Sequence, residues 1–284
     1  MKVLVTGAAG QLGYTLMRKL KEHGHIAKGV TRADFDITNL DAARETITAF
    51  APKAVIHCAA YTAVDNAEDE HDTCLKVNVE GTGNIATICH ELGAKMVYIS
   101  TDYVFDGTSL YPYTEDDTPN PINVYGKSKL GGENMLRQIL DQYFIVRTSL
   151  LFGVRGQNFV KSILRTSHEQ SRVDVVTDQI GAPTYAEDLA EFLCQLIKSR
   201  KYGIYHATNE GYCSWANFAR AVLDYEGNMA MVHEILSEEY PHIAKRPKNC
   251  RLSCEKMKKN GFKQLPPWHD GLARFMQDMQ SGLL

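Results

Sequence analysis

Tyr125 and Lys129, a tyrosine and a lysine four positions apart, are the residues of this sequence whose types and spacing best suit chemistry. If residues 123–129 begin a helix, the two side chains lie one turn apart on the same face. A phenol has a reference pKa of about 10, and a nearby ammonium favours the phenolate and lowers that pKa. The pair therefore predicts a general acid, although the same spacing also occurs on solvated helix surfaces and needs support from the rest of the chain.

The composition is typical of a globular enzyme. The 284 residues suffice for one large α/β domain, or for one domain with a smaller lobe. A net charge of −3 without a long block of like charge predicts neither a nucleic-acid nor a membrane partner. Because no apolar run approaches the roughly 18 residues of a membrane span and no signal peptide is recognisable, we expect a cytoplasmic protein. Seven scattered cysteines and ten histidines without ligand spacing predict reduced thiols and no metal.

A glycine-rich turn at residues 7–13 lies between an apolar segment, residues 2–6, and a helical pattern that begins near Leu12. The apolar segment is predicted to be a buried strand. A turn of this kind presents free backbone N–H groups, and the positive end of the helix dipole, to a pyrophosphate. The sequence therefore predicts a dinucleotide site at this turn.

Further strands are predicted at residues 26–30, 54–57 and 95–99, with a long helix at residues 74–92. Ligands of open α/β sheets bind at the carboxyl ends of the strands. After the second strand, Arg32 favours NADPH because a basic residue there can accept a 2′-phosphate, with NADH as the alternative. A hydroxyl after the 95–99 strand is placed to bind a carbonyl oxygen beside the phenol.

These elements predict an α/β fold, a Rossmann-like doubly wound parallel sheet with a smaller C-terminal α/β substrate lobe. Residues 1–150 are assigned to the dinucleotide-binding domain. Residues 151–284 are assigned mainly to the substrate lobe, allowing for elements that return to the main sheet. In this second half, residues 251–260 are predicted as a helix, and Trp215 and Tyr205 are expected in the core.

Four segments resemble the dTDP-4-dehydrorhamnose reductase family of the extended short-chain dehydrogenase/reductase superfamily. They are Thr-Gly-Ala-Ala-Gly-Gln-Leu-Gly at 6–13, Ala-Ala-Tyr-Thr-Ala-Val-Asp at 59–65, Ser-Thr-Asp-Tyr-Val-Phe-Asp-Gly at 100–107 and Tyr-Gly-Lys-Ser-Lys at 125–129. Further matches in the second half continue, in consistent order, to about residue 260. The resemblance thus spans nearly the whole chain.

The resemblance implies NAD(P)H-dependent reduction of the C4 ketone of dTDP-4-dehydro-L-rhamnose to dTDP-L-rhamnose. Tyr125 would protonate the alkoxide, Lys129 would hold the nicotinamide ribose and lower the tyrosine pKa, and Thr101 would donate a hydrogen bond to the same oxygen. The residues expected to contact the cofactor are Gly7, Gly10, Gln11, Leu12, Gly13, Arg32, Asp36, Ile37, Ala59, Ala60, Tyr61, Asn78 and Ser100, together with Tyr125 and Lys129. The residues expected to contact the substrate are Thr62, Val64, Thr101, Asp102, Tyr103, Leu150 and Arg246.

The sequence departs from the family pattern at two positions. Cys58 stands where members often have Asn, and Leu150 stands where a tryptophan often lies beside the substrate. Loss of an indole ring removes a large apolar contact, so the exact sugar stays open. Bidentate guanidinium groups match phosphate oxygens, so the basic residues of the second half are candidates to bind the substrate diphosphate. These candidates are Lys161, Arg165, Arg246, Lys248 and Arg251.

Two other functions are compatible with the same fold. One is a nucleotide-sugar epimerase or dehydratase, and the dehydratase is disfavoured because Tyr103 stands where such enzymes usually have a glutamate after Asp102. The other is a dinucleotide-binding regulatory subunit without catalysis, because fold does not establish activity. The sequence leaves open whether the protein is a monomer or a homodimer.

Overall fold

A six-stranded parallel sheet forms the centre of the computed structural model, which describes residues 1–241 and 243–281. The strands are β1 (Lys2–Thr6), β2 (Ile26–Val30), β3 (Ala54–His57), β4 (Lys95–Thr101), β5 (Tyr143–Thr148), β6 (Leu151–Phe152), β7 (Arg172–Val176), β8 (Ile180–Gly181), β9 (Thr184–Tyr185), β10 (Gly203–His206), β11 (Cys213–Ser214) and β12 (Met231–Ile235). The main sheet has the order β10-β5-β4-β3-β1-β2. The short strands form three further pairs, β11 with β8, β12 with β7 and β6 with β9.

Parallel register brings the polar carboxyl ends of the strands to one edge of the sheet. Thr6 at the end of β1 lies opposite His57 of β3, and Thr101 at the end of β4 lies opposite Thr148 of β5. The central strands β1, β3, β4 and β5 are almost wholly buried, as expected of a parallel sheet covered on both faces, whereas the edge strand β2 is only partly buried. The side chains that can do chemistry therefore collect at this edge.

Helices cover both faces of the sheet. They are α1 (Gln11–Glu22), α2 (Leu40–Phe50), α3 (His71–Leu75), α4 (Gly81–Leu92), α5 (Val124–Ile139), α6 (Phe159–Glu169), α7 (Ala186–Leu196), α8 (Trp215–Glu226), α9 (Glu255–Lys259) and α10 (Trp268–Gln280). The core on one face is built with α1 and α7, and the core on the other face with α2, α4 and α5. Among the described residues, no helix is both long enough and apolar enough to cross a bilayer.

Two helix predictions are corrected by the structure. The helix predicted at residues 74–92 begins earlier, in α3, and contains a π-helical segment, Lys76–Glu80, before α4. The helix predicted at residues 251–260 is confined to α9, because Leu252 forms a β-bridge with Tyr113 and the carbonyl of Arg251 accepts the N–H of Tyr113 at 2.8 Å. Pairing with a distant segment of the same chain has overridden helix propensity there.

The second half of the chain has its own apolar core but also contributes to the main sheet. Aromatic residues such as Phe152, Phe218 and Phe275 are buried among α6, α8 and α10. β10 nevertheless pairs with β5 in the main sheet, and α7 packs on the same face as α1. The boundary at residue 150 stays a prediction, and residues 242 and 282–284 of the predicted lobe lie outside the described part of the chain.

The helix that carries Tyr125 and Lys129, α5, begins at an N-cap that also ties it to the C-terminal half. The Asn123 side chain accepts the N–H of Gly126 at 2.7 Å and donates to the carbonyl of Lys245 at 2.8 Å. Glu68 accepts the N–H of Val124 at 2.8 Å. The first turn of α5 is therefore fixed from two sides.

We expect Asn123→Ala to destabilise the protein by about 2 kcal/mol or more. The substitution removes an N-cap, which contributes about 1 kcal/mol, and leaves a backbone carbonyl without its donor, which costs about 1–3 kcal/mol. Urea unfolding at pH 7 would measure the effect. The matched control is Asn39→Ala, because Asn39 caps α2 with a bond to the N–H of Ala42 at an exposed site and should cost about 1 kcal/mol. Equal losses in the two variants would contradict the tie to Lys245.

Candidate active site

The glycine-rich turn is shaped by contacts that only glycine permits. Gly7 has φ +63°, and a Cβ on it would lie 2.7 Å from the backbone nitrogen of Ala59 after β3. A Cβ on Gly13 would lie 2.2 Å from the carbonyl oxygen of Gly7. The N-cap of α1, Gly10, has no side chain to satisfy the first N–H groups, and the first turn of the helix carries no acidic residue. The turn therefore suits a bound anion.

A cleft of about 680 Å³ runs along the carboxyl edge of the sheet from this turn. It is lined by residues from both halves of the chain, which are Gly7, Ala9, Gly10, Gln11, Leu12, Gly13, Thr31, Arg32, Cys58, Ala59, Ala60, Thr62, Val64, Ile99, Ser100, Thr101, Asp102, Tyr103, Tyr125, Lys129, Thr148, Ser149, Leu150, Leu151, Gly156, Gln157, Phe159 and Trp215. The volume is of the size that binds small molecules and cofactors.

Most residues that the sequence nominates for the site line this one cleft. Those that do not are Asp36, Ile37, Tyr61, Asn78 and Arg246. Asp36 accepts hydrogen bonds from Thr38, and Ile37 is buried against Gly81. Their roles in binding a cofactor or substrate stay predictions.

Asn78 has a structural place behind the cleft. Its side chain accepts the N–H of Tyr61 at 2.8 Å and donates to the carbonyl of the same residue at 3.0 Å. It also donates to Ser128, whose hydroxyl donates to the carbonyl of Tyr125 at 2.7 Å. Asn78 thus links the segment after β3 to the first turn of α5.

The candidate diphosphate ligands of the second half mostly bind other protein groups. Arg246 forms a forked pair with Asp65 at 3.0 and 2.6 Å, and Lys248 pairs with Asp178 at 2.9 Å. Lys161 donates to two backbone carbonyls, and Arg251 donates to the side chain of Asn249 and the carbonyl of Leu110. Arg165 is exposed. None of these five lines the cleft among the described residues.

The surroundings of Tyr125 favour the protonated form of its phenol. Burial raises the pKa of its phenol well above the usual value, and the nearby Asp102 carboxyl raises it further, whereas hydrogen bonding with Thr101 lowers it. Desolvation dominates at this phenol, and the expectation that Lys129 lowers its pKa stays a prediction; the Lys129 ammonium lies 4.1 Å from the centre of the Tyr98 ring. A phenol with a raised pKa is a proton donor that stays loaded at neutral pH.

Lys129 is a buried cation. Its side chain is on the cleft wall but only 3% of the residue is exposed, and burial lowers the pKa of its ammonium to about 7. The Glu133 carboxylate, one turn further along α5, raises that pKa. The charge of Lys129 at neutral pH is therefore sensitive to its surroundings.

Asp102 is a second buried acid beside the phenol. One carboxyl oxygen accepts the Thr101 hydroxyl at 2.9 Å, and the other accepts the Ser149 hydroxyl at 2.6 Å. Burial raises the pKa of Asp102 to about 6, whereas hydrogen bonds from Ser149, Thr101 and Cys250 lower it. The arrangement supplies hydroxyl and carboxyl groups around the place where a carbonyl oxygen could meet the phenol.

Several cleft residues were not singled out from the sequence for binding. Ser149, Gln157 and Phe159 come from the segment after β5; Ser149 ends the Arg147-Thr-Ser149 match to the family, but no binding role was given to any of the three. Trp215, which was expected in the core, is partly buried and lines the cleft, and its ring packs against Phe159 with a centroid distance of 4.6 Å. Tyr205 is buried, as expected.

Leu150 lies on the cleft wall with a strained backbone. Its φ of +44° is in the left-handed region, which a residue with a Cβ enters at a cost. The side chain contacts the segment at Gly181, where an added Cβ would lie 3.1 Å from Leu150 Cδ1. Strain of this kind persists where the surrounding structure fixes the backbone. The backbone of Leu150 is therefore held in one conformation at the cleft wall.

Taken together, the parallel sheet, the glycine-rich turn and the Tyr125–Lys129 helix on one cleft define a short-chain dehydrogenase/reductase of the extended type. The sequence matches the family described as RmlD substrate binding domain over residues 1–281. The chain belongs to the dTDP-4-dehydrorhamnose reductase family.

Individual relatives match over nearly their whole length. The chain is 39% identical to the dTDP-4-dehydrorhamnose reductase of Aggregatibacter actinomycetemcomitans, covering 95% of this chain and 97% of the relative. It is 38% identical to the spore coat polysaccharide biosynthesis protein SpsK of Bacillus subtilis, covering 99% and 98%. The crystal structure of dTDP-4-dehydrorhamnose reductase from Bacillus anthracis in complex with NADP has a TM-score of 0.95 and 42% identity, covering 98% of this chain and 99% of that chain.

We expect Asp102→Asn to stabilise the folded protein at pH 8 but not at pH 4. The folded-state pKa of about 6 lies above the ordinary value of 3.8, so ionisation of Asp102 costs stability as the pH rises between these values. Asparagine keeps the size of the side chain without the charge, but its amide nitrogen can only donate, so one of the two hydroxyls that donate to Asp102, that of Thr101 or of Ser149, must turn to accept. The gain is at most about 3 kcal/mol, the equivalent of roughly two pKa units.

Urea unfolding of both proteins across this pH range would measure the difference. The exposed Asp116→Asn serves as a control for the loss of one negative charge. An Asp102→Asn protein that is less stable than the parent at pH 8 would contradict the burial argument.

Proposed function

We propose that this protein is an NADPH-dependent reductase that converts the C4 ketone of dTDP-4-dehydro-L-rhamnose to the alcohol of dTDP-L-rhamnose. The observation that carries the proposal is the single cleft that joins the glycine-rich turn to Tyr125 and Thr101, in a chain that matches reductases of this name end to end. The sugar nucleotide is the substrate that those relatives' names give.

The residues around the turn fit a dinucleotide. Gly7 and Gly13 let the backbone approach closely, and the unfilled N-terminus of α1 faces the cleft, which supports a pyrophosphate site. Arg32 lies on the cleft with 85% of its side chain exposed, and its carboxylate neighbour Asp36 is 3.9 Å away. An exposed guanidinium held this loosely is free to meet a 2′-phosphate. When bound, NADPH supplies the hydride.

The chain's own residues would complete the reduction by proton transfer. Tyr125 donates its phenolic proton to the oxygen that was the C4 carbonyl, and its raised pKa keeps that proton in place beforehand. Thr101, whose hydroxyl donates to Asp102 in this structure, would turn that hydroxyl to donate a hydrogen bond to the same oxygen, where negative charge develops. The Lys129 ammonium, one turn from Tyr125, stabilises the phenolate that results.

The C-terminal half would supply the rest of the substrate pocket. Leu150, Phe159 and Trp215 contribute apolar surface to the cleft wall. Residues 151–284 are on this view mainly the substrate lobe. A cytoplasmic location, a monomeric or homodimeric state, and the lack of nucleic-acid and membrane partners stay predictions.

We expect Tyr125→Phe to lower kcat by at least about 100-fold while leaving the dissociation constant of NADPH nearly unchanged. The substitution removes only the hydroxyl that donates the proton, and general acids contribute typically 100-fold or more. NADPH oxidation in the presence of the 4-keto sugar nucleotide would measure kcat, and fluorescence titration would measure binding. Tyr111→Phe, at an exposed tyrosine outside the cleft lining, should keep full activity. Near-normal reduction by Tyr125→Phe would refute its role.

We expect Arg32→Asp to weaken NADPH binding by at least about tenfold, corresponding to roughly 1.4 kcal/mol, and NADH binding much less. A carboxylate at this position repels a 2′-phosphate but can accept a hydrogen bond from a 2′-hydroxyl. Dissociation constants for both cofactors would be compared with those of Arg200→Asp, an equal charge change at an exposed site outside the cleft. Equal losses for NADPH and NADH would show that Arg32 does not contact the phosphate.

A further inference from the structure

A buried ion pair lies directly behind the Lys129 side of the cleft. Glu133 and Arg147 are each 1% exposed, and the guanidinium donates two hydrogen bonds to the carboxylate, at 2.9 and 2.7 Å. Ser100 donates to the same carboxylate at 2.5 Å. Desolvating an ion pair at this depth is costly, and such a pair often adds little to the free energy of unfolding. Its position beside other groups therefore suggests a role other than stability.

The pair is connected to the cleft on two sides. Glu133 follows Lys129 by four residues in α5, so the two side chains share one helix face. Ser100 lines the cleft at the end of β4, and its hydroxyl is directed at Glu133. Arg147, from β5, fixes the carboxylate by a forked contact.

Among the described groups that act on Lys129, Glu133 is the one that carries a negative charge. From β4, Tyr98 presents its ring at 4.1 Å. From the end of β3, His57 is held neutral because burial lowers its pKa to about 3, and burial raises the pKa of the Cys58 thiol to about 12. From α3, burial also raises the pKa of the Cys74 thiol.

We propose that Glu133, held in place by Arg147 and Ser100, is a positioning residue that favours the charged form of Lys129 near neutral pH and so sets the alkaline limit of the reduction. This inference rests on the proposed function, because it assigns a purpose to the charge of Lys129. The physical reason is the balance at a buried ammonium: burial favours the neutral amine, and an anion one turn away favours the charged form. Burial without the anion would leave the amine uncharged over much of the working range.

The direct test is the titration of Lys129 in the cofactor-free protein. Lysine labelled with ¹³C at Cε is followed by NMR against pH, and Lys129→Met identifies the resonance. In Glu133→Gln, we expect the midpoint of Lys129 to fall by about one pH unit, the size of effect that a nearby opposite charge exerts. A midpoint that does not fall in a folded Glu133→Gln protein overturns the proposal.

Arg147→Gln tests the direction in which the Lys129 midpoint moves, and this direction distinguishes an electrostatic role of Glu133 from a merely structural one. It leaves the Glu133 carboxylate in place without its cation, so the Lys129 midpoint should stay or rise. General loosening of the site would instead move the midpoint the same way in both variants, and that result overturns the proposal. If Glu133→Gln does not fold, Glu133→Gln/Arg147→Gln compared with Arg147→Gln isolates the same carboxylate, and its midpoint must be the lower of the two.

In Glu133→Gln, the pH at the midpoint of the alkaline limb of kcat/KM should fall by the same number of pH units as the NMR midpoint of Lys129. Asp188→Asn is the matched control, since Asp188 is a mostly buried carboxylate paired with Arg274 at 2.8 Å outside the cleft lining. That control should lower stability without moving the limb. An unmoved limb in Glu133→Gln overturns the link to turnover. If the protein does not reduce the sugar at all, the proposed function fails while the NMR titration still decides whether Glu133 controls Lys129.

Discussion

The burial of one ammonium group is the constraint around which the active cleft is arranged. Lys129 lies on the wall of the cleft, and a cation that is 3% exposed loses most of its hydration. The aromatic face of Tyr98 and the carboxylate of Glu133 offset part of that loss. Because these partners come from β4 and from the next turn of α5, the packing of that helix on the sheet and the charge of the lysine depend on each other.

The electrostatics of the substrate-free cleft suit proton donation rather than proton removal. The phenol of Tyr125 is half-buried near Asp102, and desolvation raises its pKa, so its proton is retained. The pKa of Lys129 is lowered to about 7, close to the working range. A general acid of this kind should keep its proton until negative charge develops on the substrate oxygen. The phenol must therefore stay protonated until then, and a nearby cation must stabilise the phenolate that is formed. The lysine is thus assigned to offset part of the cost of forming the phenolate, an effect that is equivalent to a lower phenol pKa.

Sequence patterns predicted the framework well because the framework depends on local regularities. Buried strands appear as continuous apolar runs, and the glycine-rich turn and the Tyr125–Lys129 spacing have fixed local geometry. What the sequence could not predict is pairing across the chain. Arg246 was a candidate for phosphate, but its partner Asp65 is 181 residues away in sequence. The π-helical segment around Asn78 and the cleft position of Trp215 likewise depend on tertiary contacts. Glu133 could have been noticed, since it continues the four-residue spacing of Tyr125 and Lys129.

The same long-range pairing connects the C-terminal half of the chain to two parts of the cleft in the N-terminal half. Asp65 follows the β3 segment that lines the cleft, and it accepts the forked contact from Arg246 together with the N–H of Ala244 at 3.0 Å. One residue before Arg246, the carbonyl of Lys245 accepts from the Asn123 cap of α5. One short C-terminal segment therefore holds both the β3 side of the cleft and the first turn of the helix that carries the phenol. A displacement of that segment would shift both the β3 side of the cleft and the first turn of α5. The C-terminal half therefore helps to set the geometry of the proton donor as well as to enclose the substrate.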